Sequence, residues 1–145
     1  MSFKYKKYIE ALFVQCPPFD YTSCKRVAFR FVFEETHKNY KNNFLPVLII
    51  KPARQNGRRF KKDFSKCRGY ALSFFDTLEH IREQYVELKK DNPNISEYIG
   101  THIAQGVIDK EDGVVSQIDN KGHFSLHEFE GTQLQKKFRI VSSLD

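Results

Sequence analysis

Four titratable side chains fall within eight residues of the sequence HFSLHEFE: His123, His127, Glu128 and Glu130. On a strand, His123 and His127 share one face with Ser125, while Glu128 and Glu130 share the other with Phe124 and Leu126. A carboxylate on an apolar face is costly to ionise, so its pKa rises and it can act as a general acid or base. The plainer reading is a half-solvated strand end, with Glu130 leading into the turn at Gly131. Imidazoles on adjacent strands can also converge on zinc, which makes His102, His123 and His127 a conceivable set. Nothing in their spacing demands a metal, and none is assigned.

A second concentration of chemistry runs from Lys51 to Arg68. It holds Lys51, Arg54, Arg58, Arg59, Lys61, Lys62, Lys66 and Arg68, opposed only by Asp63. Neutralising phosphates requires several cations, and the interleaved Phe60 and Phe64 offer faces on which unpaired bases can stack. A solvated basic loop without a partner is the alternative. Like charges this dense disfavour one regular element, and Phe60 and Phe64 are expected to anchor the stretch to the body.

The surrounding charge is lopsided. Residues 1–73 carry 16 basic and 5 acidic side chains, net +11, and residues 74–145 carry 8 and 13, net −5, giving +6 for the 145-residue chain. A half with that excess attracts polyanions unless the acidic half folds over it. Polyanion binding is therefore expected from Arg54, Arg58, Arg59, Lys61, Lys62, Lys66, Arg68, Phe60 and Phe64, with nucleic acid as the first partner and an acidic protein surface as the alternative.

Cys16, Cys24 and Cys67 are an odd number in no metal-ligand spacing, without a C-x-x-C pair. They read as free thiols, and with no export signal they place the chain in a reducing cytoplasm. Cys67 between Lys66 and Arg68 is a candidate nucleophile, because neighbouring cations favour the thiolate. The acidic turns DKEDG and DNKG lack the ligand pattern of a calcium loop. No P-loop, dinucleotide glycine fingerprint or G-x-S-x-G elbow occurs, so no cofactor is assigned.

One succession of residues supports an enzymatic alternative. Arg30 on a strand, Ser73 in ALSFF and a late glutamate, Glu128 or Glu130, follow an order similar to the arginine, serine and glutamate of ADP-ribosyltransferases. The resemblance implies that Arg30 and Ser73 would hold NAD and the glutamate would support transfer at the ribose. Ser73 does not stand in that family's Ser-Thr-Ser triplet. His102 and His127 would join the same pocket.

The elements that must position these groups are legible in part. Residues 25–34, KRVAFRFVFE, alternate Val27, Phe29, Phe31 and Phe33 onto one strand face, with Arg30 on the other. Leu45 to Lys51 reads as a central strand and Gly69 to Phe75 as a third. Asp76 caps a helix whose stripe is Leu78, Ile81, Tyr85 and Leu88, paired with Glu79 in a capping box. Tyr5, Ile9, Leu12 and Phe13 make the stripe of a short helix, with a strand as the competing reading, and Pro17-Pro18 stops either element. Residues 95–108 begin helically and continue as a strand from about Gly100. VVSQI, HFSLHEFE and FRIVSSL supply the remaining strands, with turns at Asp112-Gly113 and Asp119 to Gly122. No apolar run approaches the ~18 residues of a membrane span. The sum is one α+β domain over residues 1–145, with a largely antiparallel sheet of five or six strands, one well-defined helix and a shorter second one.

Overall fold

The alternation in residues 25–34 becomes β1 (Arg26–Val32), around which the other elements are arranged. The computed structural model describes residues 2–145. Its further strands are β2 (Leu72–Phe75), β3 (His102–Ile108), β4 (Gly113–Val115), β5 (His123–Glu128) and β6 (Arg139–Ser143). They form one six-stranded sheet in the order β4-β5-β2-β1-β3-β6, with every pair antiparallel. Five helices complete an α+β fold: α1 (Lys6–Ile9), α2 (Val47–Ile50), α3 (Asp63–Gly69), α4 (Leu78–Asp91) and α5 (Ser96–Ile99). Among the described residues no helix is long and apolar enough to cross a membrane.

Alternation along the strands separates two cores. Ala28, Leu72, Phe74, Phe124 and Leu126 pack on one sheet face with Ile108, Val115 and Leu134, and Phe44 and Phe138 pack against them. Phe29, Phe75 and Ile103 pack on the opposite face beneath Ile81 of α4. Each such side chain contributes about 1.5–3 kcal/mol by leaving water, which is how period-2 patterning becomes a fixed register. A third cluster joins Ile9, Leu48, Phe60 and Tyr70 and ties the N-terminal segment to the basic stretch.

Several local expectations are corrected. Residues 45–51 hold the helical turn α2 rather than a central strand, with Ile49 and Ile50 both donating to the Pro46 carbonyl at 3.0 Å. Four apolar residues fit a buried helical turn as well as a buried strand, so periodicity could not choose between them. Thr77, not Asp76, caps α4: its Oγ1 accepts from His80 N at 3.0 Å, while Asp76 Oδ1 faces His80 Nδ1 at 2.6 Å. The N-terminal stripe stops at Ile9, and Phe13 is 97% exposed. Gly69 and Tyr70 belong to the end of α3, and β2 begins only at Leu72. Gly69 sits under Leu48, where a Cβ would come within 2.5 Å of Leu48 Cδ1. That close approach is what lets α2 and α3 touch.

The free-thiol expectation also fails for two of the three cysteines. Cys16 and Cys67 form a disulfide with their Cα atoms 5.7 Å apart, while Cys24 is free. The two lie 51 residues apart in sequence, so only the packing of the N-terminal segment against α3 brings them together. Cys67 is buried and bonded, which removes it as a nucleophile.

Candidate functional site

β1 and β2 are paired at a single position, Phe29 opposite Phe75, and beyond it they separate. Arg30 fills the gap. Its Nε donates to the Asn43 carbonyl at 2.7 Å and its Nη1 to the Ser73 carbonyl at 2.8 Å. The guanidinium also lies 5.6 Å from the Phe74 ring centroid and 6.0 Å from that of Phe44. Burial lowers the Arg30 pKa to about 10, with the field of Glu128 opposing the shift, so the group stays cationic at neutral pH.

Asn43 fixes the other side of the gap. Its Oδ1 accepts from Phe33 N at 2.7 Å and its Nδ2 donates to Phe33 O at 2.8 Å, closing the loop over residues 34–42 onto the end of β1. The result is a cleft of about 1240 Å³. One wall is this loop, a second is α2 with the basic stretch, and the floor carries Ser73, His123 and Ser125 from β2 and β5.

Six cationic side chains line the cleft (Arg30, Lys38, Lys51, Arg54, Arg59 and Arg68), and Glu97 is its one lining carboxylate. Burial and the charges of Arg54 and Arg68 hold the Arg59 guanidinium below its usual range. Arg54 and Arg59 lie over the ring of Phe60, at 5.7 and 4.9 Å from its centroid, and Arg68 lies over Phe64 at 5.2 Å. Cation–π contacts of this kind pre-position guanidiniums without neutralising them. Among the described residues, Arg54, Arg58, Arg59, Lys61, Lys62 and Arg68 take part in no ion pair. Of the carboxylates in residues 74–145, Glu97 lines the cleft beside them, and several others pair elsewhere. Asp109 and Asp112 pair with Lys137, Asp145 with Lys89 and Glu87 with Lys90.

The residues singled out from sequence divide accordingly. Arg30, Ser73, Arg54, Arg59, Arg68 and Phe60 line the cleft, whereas Arg58, Lys61, Lys62, Lys66 and Phe64 do not. Phe60 is buried at 3% exposure and supports the arginines from below, while Phe64 is 51% exposed and, instead of anchoring the stretch in the core, carries Arg68 and Lys62 over its ring. Lys66 is tied to Asp63 at 3.5 Å and to the Lys61 carbonyl at 3.2 Å. Lys38, His37, Asn39, Asn42, Asn43 and Tyr98 also contribute to the cleft, and sequence reading passed over them. Five of these stand in one cation-and-amide run, HKNYKNN, and Tyr98 stands apart in SEYIG.

The late acidic pair lies elsewhere. Glu128 is buried outside the cleft lining, its Oε2 2.7 Å from Lys4 Nζ and its Oε1 without a partner. Burial raises its pKa, and Lys4 opposes the shift. Glu130 is exposed, and its backbone N donates to Ser2 O at 2.8 Å. Arg30 and Ser73 are thus brought together, and neither glutamate lines the same cleft. Nor do the three histidines converge. His102 lies 3.9 Å from Glu34 and His123 lies 3.8 Å from Asp119. His127 stands apart from both, beside the disulfide, with burial pushing its imidazole down to about 4. Against protein-family models, curated proteins and solved structures alike, the chain has no match.

Proposed function

We propose that the cleft binds a polyanion, with single-stranded nucleic acid as the first ligand class. The observation that carries this reading is the set of six lining cations, several crowded against one another, facing one carboxylate. Guanidiniums held close together without a counter-charge raise the energy of the free protein, and bound phosphates relieve it. The amides of Asn39, Asn42 and Asn92 offer both donors and acceptors to base edges or sugar hydroxyls. Tyr98, 64% exposed at the cleft, presents an aromatic face suited to stacking an unpaired base. A concave cleft admits an unpaired strand with its bases turned inward, which favours it over a duplex.

Labelled single- and double-stranded oligonucleotides titrated at graded salt test the reading. Binding in the micromolar range or tighter, stronger for single strands and weakening steeply with salt, supports it, because each phosphate contact releases counterions. Absence of salt-sensitive binding at micromolar protein overturns it, and stoichiometric capture of an acidic protein instead assigns the same cations to a protein partner.

A further inference from the structure

Among the described residues one group of three metal-capable donors, Cys16 Sγ, Cys67 Sγ and His127 Nε2, has all its atoms within 4.8 Å of each other. His127 Nε2 is 3.6 Å from Cys67 Sγ and 3.9 Å from Cys16 Sγ. A tetrahedral zinc with bonds of about 2.3 Å to sulfur and about 2.0 Å to nitrogen places each sulfur about 3.5 Å from the nitrogen. The imidazole therefore already stands close to the separation that a shared metal requires.

The two sulfurs are bonded in this structure, and for a metal they must part to about 3.8 Å. With the Cα atoms 5.7 Å apart, that needs side-chain rotation and no displacement of the backbone carrying them. Cys67 and His127 are each 3% exposed and held by α3 and β5, while Cys16 comes from the more accessible N-terminal segment. Two thiolates and an imidazole are a soft donor set that selects zinc over magnesium or calcium.

We propose that, once the Cys16–Cys67 disulfide is reduced, Cys16, Cys67 and His127 bind one zinc ion, with a water completing the tetrahedron. Reduction by a phosphine breaks the S–S bond and leaves two thiols, the phosphine being oxidised to its oxide with oxygen from water. Zinc then displaces both thiol protons into the buffer. Disulfide and metal are alternative ways of tying the N-terminal segment to α3, the helix that also carries Arg68.

The test uses the full chain reduced with a phosphine under argon, stripped with a chelator, and titrated with Zn(II) against a chromophoric competitor, then with Co(II). The expected result is one sub-micromolar zinc site, a sulfur-to-cobalt charge-transfer band and the visible bands of tetrahedral Co(II). The oxidised protein should lack all three. Cys16→Ser and His127→Gln should each weaken zinc binding at least tenfold, and Cys24→Ser should leave it unchanged. If His127→Gln does not fold, Cys16→Ser in the accessible segment and the wild-type cobalt spectrum decide the matter. Less than half an equivalent of zinc on the reduced wild type, or wild-type affinity in either variant, overturns the proposal.

Discussion

Arg30 Nη1 donates to the Ser73 carbonyl across 2.8 Å at the place where β1 and β2 have stopped pairing. One side chain thereby substitutes for ladder hydrogen bonds that the separating strands cannot make, and it leaves a charge facing the cleft. Replacing Arg30 with Met removes two donors and leaves the Asn43 and Ser73 carbonyls short of partners, at about 1–3 kcal/mol. Arg30→Lys keeps the charge but reaches at most one of the two acceptors, so its loss is expected to fall between wild type and Met. Urea denaturation midpoints check the ranking, and a wild-type midpoint for Met contradicts it.

The cleft-facing cations should be separable from the rest of the positive charge. Alanine at Arg54, Arg59 or Arg68 is expected to weaken oligonucleotide binding and to reduce the slope of log K against log salt by about 1 each. Lys136, exposed and outside the cleft, should tolerate the same change without effect on either quantity. Equal losses at all four positions would mean that net charge, not the cleft, drives association.

Gly69 tests the contact between α2 and α3. Alanine favours a helix over glycine by up to about 1 kcal/mol. Here its Cβ would press on Leu48 Cδ1 at 2.5 Å and Phe60 Cε1 at 3.1 Å, and overpacking of that kind costs about 1–3 kcal/mol. Net destabilisation is therefore expected. Leu48→Ala in the Gly69→Ala background should show a favourable coupling energy, read from a double-mutant cycle of denaturation midpoints.

The pair of half-buried Lys4 and buried Glu128 predicts a pH-dependent effect. Lys4→Met leaves the buried Glu128 carboxylate without its cation, and stranding it this way costs up to about 3 kcal/mol at neutral pH. The Glu128 pKa lies above its unfolded value, so the folded chain holds this proton more readily. Stability from this group is therefore complete below the unfolded pKa and falls as pH rises through the folded one. Losing Lys4 raises the folded pKa further, so the variant's deficit should shrink in acid and grow towards neutrality. Adding Glu128→Gln should flatten that dependence. A deficit independent of pH would show that Lys4 matters through packing alone.

The sequence by itself determined that residues 26–32 form a strand, from the alternating phenylalanines, and α4, whose 3.6-residue stripe runs from Leu78 to Leu88. It also located the charge imbalance and the turn at Gly122, because these depend on residues close together in the chain, whereas Gly113, expected in a turn, opens β4. It did not determine the burial of β1, since Ala28 and Val32 are buried on the face opposite Phe29 while Val27 is 47% exposed. Only the tertiary structure decided that Val47–Ile50 is a helical turn: an apolar tetrapeptide suits either element, and here it packs as a helix with Leu48 against Gly69 of α3. The cleft and the Cys16–Cys67–His127 cluster were equally out of reach. Arg30 meets Ser73 across 43 residues, and Cys16 meets His127 across 111. No local spacing encodes such meetings, because they follow from strand order and from the buried apolar faces that hold the N-terminal segment, α3 and β5 together.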